Sequence, residues 1–113
     1  MPHLIIEFSQ DLIEKVQVEA MLDNVHRAAV GTGLFEESHI RVRALPVTHY
    51  RVGGSRKHFI HTQCRIHVGR SEAQRKQLAE AVLSAIRGQG WPTKVVTVEV
   101  VEMDRTTYAK YSD

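Results

Sequence analysis

The stretch FIHTQCRIHVGRSEAQRKQLAEAVLSAIRGQG, residues 59–90, changes its hydrophobic period halfway along. Over 59–68 apolar side chains fall on the even positions, Ile60, Cys64, Ile66 and Val68, as on a strand with one buried face. From Leu78 they return every third or fourth residue, through Ala79, Val82, Leu83 and Ile86, as on a helix with one apolar stripe. Between the two, Ser71 and Gln74 have the spacing of a capping box, in which each side chain satisfies a backbone N–H left open at a helix start. Gly88, Gly90 and Pro92 end the helix. Residues 94–103 follow as a strand, with Val96, Val98 and Val100 on one face. Residues 59–103 therefore read as β-α-β, two parallel strands joined by a right-handed crossover.

The first half of the chain repeats that unit. HLIIEF, residues 3–8, is β-branched and apolar enough for a short strand. Ser9 and Asp11 follow as helix-starting caps. Leu12, Ile13 and Val16 mark one apolar stripe, and Val18, Met21, Leu22, Val25, Ala28 and Ala29 mark a second. The phase slips near Gln17, which predicts either a helix kinked there or a short turn followed by a helix. GTG at 31–33 stops it, because glycine takes the left-handed conformation cheaply. Residues 39–45 alternate again, with Ile40, Val42 and Ala44 on one face and Arg41 and Arg43 on the other. VGGSRKH then turns the chain toward the second unit, and the tail TTYAKYSD is irregular.

The fold class predicted is α+β in two layers: a tandem β-α-β repeat forming a four-stranded mixed sheet with two helices on one face, a single domain over residues 1–113. The other sheet face is left uncovered, with Ile5, Leu45, Val95, Val101 and Met103 among polar residues. Such a face suits an oligomer that packs its sheets inward.

Bulk properties narrow the function. A chain of 113 residues buries roughly two-thirds of its unfolded surface, enough for a core but not for a large pocket inside one subunit. A formal charge of +2 and the lack of a concentrated basic stripe argue against nucleic-acid binding. The single cysteine, Cys64, cannot form an internal disulfide and sits on the core face as a small hydrophobe. With no signal peptide or membrane-length apolar run, a soluble cytoplasmic protein is expected. His61 and His67 share a strand face but stand six residues apart, about 20 Å at strand rise, so no metal site is expected.

The candidate chemistry lies at the N-terminus. Met1 precedes a small residue, Pro2, and its removal would leave Pro2 with a secondary amine. A proline entering a strand is structurally ordinary, since it need not donate to the ladder. The arginines give it another reading. Burial against Leu4 and Ile6, together with nearby guanidinium groups, would lower the amine's pKa and make it a usable base. If strands 1 and 3 pair antiparallel at the centre of the sheet, Pro2, Arg41 and Arg70 gather at one end. Arg43, on the outward face, is read as solubilising. Arg70 precedes a helix N-terminus, where the dipole disfavours a cation, and that placement hints at a role.

PHLIIEFSQDL at 2–12, TGLFEESHIRVR at 32–43 and HVGRSEAQRKQLAEAVL at 67–83 together resemble the 5-carboxymethyl-2-hydroxymuconate isomerase branch of the tautomerase superfamily. The resemblance implies a cofactor-free isomerase of aromatic-compound breakdown, a homotrimer with sites near subunit boundaries, acting on small anionic unsaturated acids. It implies Pro2 as the base, with Arg41 and Arg70 holding substrate carboxylates or stabilising a dienolate. Sister activities of that superfamily, decarboxylation and hydrolytic dehalogenation, use the same amine. The rival reading is a ferredoxin-like ligand- or RNA-binding module, which shares the element order. Strand 3, however, lacks the stacking aromatics of RNA-binding sheets, and the chain has only seven aromatic residues.

Overall fold

The structure is a computed structural model, and it describes residues 1–12, 15–91 and 95–113. Alternation on the third strand, β3 (Phe59–His67), works as its pattern predicts: Ile60, Thr62, Cys64 and Ile66 point to one face and all four are fully buried. The first strand, β1 (His3–Ser9), does the same with Leu4, Ile6 and Phe8. These two strands pair antiparallel at the centre, in register from His3 opposite Arg65 to Phe8 opposite Ile60. On the outer flanks β2 (Arg41–Val47) runs parallel to β1, and β4 (Val95–Met103) runs parallel to β3, giving the order β2-β1-β3-β4. Each crossover thus joins adjacent strands. A split β-α-β fold, the ferredoxin-like alternative, would instead separate them by another strand.

Two helices cover one face. α1 (Lys15–Gly31) buries Met21, Val25 and Ala29, and α2 (Glu72–Arg87) buries Leu78, Val82 and Ile86. These spacings put each set on one helix face, against the even residues of β1 and β3. The capping box of α2 is formed in both directions, Gln74 N–H to Ser71 Oγ at 3.1 Å and Ser71 N–H to Gln74 Oε1 at 2.9 Å. α1 ends through Gly33, whose φ of +72° allows its N–H to reach the Val30 carbonyl at 3.1 Å.

Several local expectations are corrected. Ser9 is not a helix cap: it ends β1, is fully buried, and its Oγ accepts from Phe59 N–H at 2.8 Å. Asp11 pairs with Arg56 at 3.3 Å. A turn over residues 10–12, closed by Leu12 N–H to Ser9 O, replaces the early helix, so the slip near Gln17 reflects a turn and not a kink. The stripe residue Ile13, the side chain of Val16, the helix stop at Pro92 and the strand start at 94 lie outside the described residues. Val68 lies past the end of β3 and is 41% exposed. β2 continues through Pro46, which an edge strand tolerates because one side of its backbone needs no ladder partner.

The face away from the helices carries Arg41, Arg43 and Leu45 on β2, His61 and Arg65 on β3, and Glu99 on β4. Leu45 is 45% exposed there. Met103 was expected in the open, yet it is buried, because the chain after β4 turns back across that end of the sheet. Among the described residues no helix is long and apolar enough to cross a membrane.

Candidate active site

The central position of β1 brings its start between the start of β2 and the end of β3. His3 stands opposite Arg41 on one side and Arg65 on the other. Pro2, just before the strand, is fully buried, and its carbonyl accepts the Arg41 N–H at 3.1 Å. The Arg41 guanidinium donates to the His39 carbonyl at 3.3 Å and touches the Met1 thioether sulfur. Pro2 and Arg41 are therefore brought together, as their positions in the two strands require.

Arg70 comes near but does not join them. Its Nη2 donates to the Leu34 carbonyl at 2.6 Å, and its guanidinium lies 5.2 Å from the centre of the Phe35 ring. It ties the entry of α2 to the connection between α1 and β2, and its charge reaches the N-terminus through space. That tie accounts for a cation beside a helix N-terminus, where the dipole alone would disfavour it.

Electrostatics single out the amine of Met1, the residue before Pro2. Burial lowers its pKa, and Lys110, Arg41, Arg70 and Arg105 lower it further, because each cation opposes a second positive charge. Among the described residues none of these four cations forms an ion pair with a carboxylate. The chain carries a net charge of only +2, so this is a local concentration and not a general excess.

The amine end opens into a cavity of about 410 Å³ lined by Met1, His39, His67, Arg105, Tyr108 and Lys110. Three of these residues come from the C-terminal segment after β4, two of them, Tyr108 and Lys110, from the tail read as irregular. Its path is fixed locally. Asp104 Oδ1 accepts from the Thr106 N–H at 2.9 Å and from its hydroxyl at 2.7 Å, a side-chain turn that reverses the chain after β4. The Asp-x-Thr spacing was the available signal for that turn. Tyr108 then packs edge-on to His67 with ring centres 4.9 Å apart and meets His3 Nε2 at 2.9 Å.

His3 also fixes a proton. Arg43 Nη1, which can only donate, lies 3.3 Å from His3 Nδ1. The pKa of His3 is lowered, first by burial and then by Arg43, so the ring is neutral with its proton on Nε2. That proton goes to the Tyr108 oxygen, which leaves the Tyr108 O–H to donate elsewhere. Arg43, read as merely solubilising, is thus part of the site's support. His67 is held neutral too, by burial and then by Arg105, and its Nδ1 has no partner among the described residues. Burial pushes the Cys64 thiol up to about 12, which leaves it an inert part of the core. No group of three His, Cys, Asp or Glu side chains among the described residues is placed to hold a metal ion.

Solved structures share this fold from end to end. A 5-carboxymethyl-2-hydroxymuconate delta-isomerase superposes with a TM-score of 0.82 at 22% identity, covering 99% of this chain and 89% of its own. A 5-carboxymethyl-2-hydroxymuconate isomerase from Deinococcus radiodurans R1 gives 0.81 at 21% identity, covering 99% and 90%. A fused 4-OT described as a symmetric trimer gives 0.81 at 12% identity, covering 96% and 93%. No curated protein matches the chain by sequence. The family model for 5-carboxymethyl-2-hydroxymuconate isomerase matches residues 2–110, a span that runs from the buried proline to the tail lysine at the cavity. The chain belongs to the 5-carboxymethyl-2-hydroxymuconate isomerase family, and with it to the isomerases of the tautomerase superfamily.

Proposed function

We propose that this chain is a cofactor-independent isomerase in which Pro2, once Met1 is removed, is the general base for an unsaturated, carboxylate-bearing substrate such as 5-carboxymethyl-2-hydroxymuconate. One observation carries the reading: the Met1 amine, one residue ahead of the buried Pro2, stands among four cations, its pKa lowered by burial and by their charge. Removing Met1 hands that setting to the Pro2 nitrogen. A secondary amine is intrinsically more basic than a primary one, and the same two causes bring it toward neutrality.

The chemistry is one proton moved twice. The neutral amine takes a proton from the enol or the allylic C–H, which leaves an ammonium and a dienolate. Arg41 meets the negative charge that spreads onto oxygen and holds a carboxylate by paired N–H bonds. The ammonium then returns the proton at the far carbon of the conjugated system. The amine ends as it began, and only the double bond has moved. Arg70 assists through its field while bracing the loop at Leu34 and Phe35. A homotrimer that packs the open sheet faces inward would cover the exposed Leu45 and bring a neighbour to the cavity's rim.

The test compares protein beginning at Pro2 with protein that retains Met1, assayed side by side on 2-hydroxymuconate-type substrates. The processed form turns over and the unprocessed form does not, because an amide nitrogen cannot take the proton. Equal rates would show the amine to be idle and return Pro2 to a stiff strand entry.

A further inference from the structure

We propose that Tyr108 is a catalytic residue: its O–H donates to the oxygen on which the dienolate's negative charge collects, and His3 and Arg43 are positioning residues that hold it to that role. The proposal deepens the isomerase reading and rests on it for the reaction, though not for the binding of an acceptor oxygen.

A tyrosine hydroxyl both donates and accepts, so its neighbours decide which it offers to a ligand. Here the donors run one way. Arg43 Nη1, which can only donate, lies 3.3 Å from His3 Nδ1, and the ring proton is left on Nε2. Nε2 lies 2.9 Å from the Tyr108 oxygen and donates to it. The Tyr108 hydrogen therefore points away from His3, and among the described residues no acceptor receives it. Accepting the His3 proton also polarises the phenol, which makes its own hydrogen a stronger donor.

The ring is fixed before a ligand arrives. Its centre lies 4.9 Å from that of His67, edge-on at 87°, and 6.0 Å from that of His3. Tyr108 lines the cavity that Met1 also lines, and its hydroxyl is tied to the residue that follows Pro2. A tail tyrosine that served only to pack would need no such polarity.

The donor acts on the barrier more than on binding. A neutral enol oxygen is a weak acceptor and a dienolate oxygen a strong one, so the bond tightens as charge develops. Arg41 supplies charge there and Tyr108 a directed hydrogen. No bond is made or broken at Tyr108, because the proton travels only between the substrate and the amine.

The experiment separates kcat from KM on the processed, full-length protein with 2-hydroxymuconate. Tyr108→Phe keeps the ring and lowers kcat by about a hundredfold, as expected for a lost oxyanion donor, with KM little changed. Arg43→Gln, whose amide can also accept, lowers kcat less, and Arg43→Lys restores it. Nitrogen-15 NMR of His3 finds the proton on Nε2 in wild type and Arg43→Lys, and both tautomers in Arg43→Gln. Tyr111→Phe, at a side chain 90% exposed, changes nothing. Calorimetry then compares oxamate with propanoate, unreactive monoanions with and without an oxygen on the carbon beside the carboxylate. Wild type favours oxamate, and Tyr108→Phe, which alters no charge, lowers that ratio about three- to tenfold. A Tyr108→Phe enzyme with wild-type kcat, or with an unchanged ratio, would overturn the assignment. If wild type does not turn over at all, the isomerase reading fails and the oxamate ratio alone decides the donor.

Discussion

The two ends of the sheet are built from the same parts and differ in charge. At one end β1 begins beside the end of β3; at the other β3 begins beside the end of β1. At the far end Ser9 and Phe59 close the strands, Tyr50 packs against Phe59 with ring centres 5.3 Å apart, and Arg56 lies over Tyr50 and pairs with Asp11. Its charge is answered there. At the near end Arg41, Arg70, Arg105 and Lys110 surround one amine and no carboxylate among the described residues answers them. A repeated fold offers two equivalent ends, and among the described residues four cations converge on the amine at one of them. Under the proposed function, an anionic substrate would complete it.

Four substitutions test that contrast. The largest effect is expected from Arg41→Ala, which removes a charged, forked donor beside the amine and lowers kcat/KM for carboxylate substrates by roughly ten- to a hundredfold. Arg56→Ala, the counterpart at the far end, should leave kcat/KM unchanged. Equal losses from both would mean that the ends do not differ in function.

The second effect is a shift in pH dependence. On the proposed reading the neutral Pro2 amine is the active form, and the rate falls as pH drops through its pKa. The cations that lower the pKa of the Met1 amine would lower that pKa too. Arg70→Gln removes one repulsion and raises the pKa, moving the acid limb of kcat/KM to higher pH. A limb that stays put or moves to lower pH would contradict the assignment of the amine.

The smallest effect is at the far end. Asp11→Asn releases Arg56 from an exposed pair, and such pairs contribute about 0–1 kcal/mol, so thermal stability should barely move. Oxamate binding measured by calorimetry should not rise either, because that end has neither the amine nor the converging cations.

The parts legible in the sequence were those governed by a period. β3 and α2 were readable because their side chains repeat at two and at 3.6 residues, and because a capping box is a local signal. The β-α-β order then placed Pro2 and Arg41 at the same end, since parallel strands bring their starts together. What the pattern missed depends on contacts between distant segments. Ser9 has the composition of a cap, but its hydroxyl is taken by Phe59, fifty residues on in the β3 ladder. Arg105, Tyr108 and Lys110 follow no period, and only the return of the tail across the sheet gives them a common neighbour. Arg43 could not be separated from an ordinary surface cation until His3 was seen to need its donor.

The central pairing of β1 has a consequence for the order of events during synthesis. His3 is made well before its ladder partner Arg65. Until β3 emerges, β1 cannot be enclosed on both sides, and the residues before it lack that cover. Once the sheet closes, Pro2 is fully buried and its carbonyl is tied to Arg41. If the working base is made by trimming Met1, the time available for trimming is the time the nascent chain takes to complete its own centre.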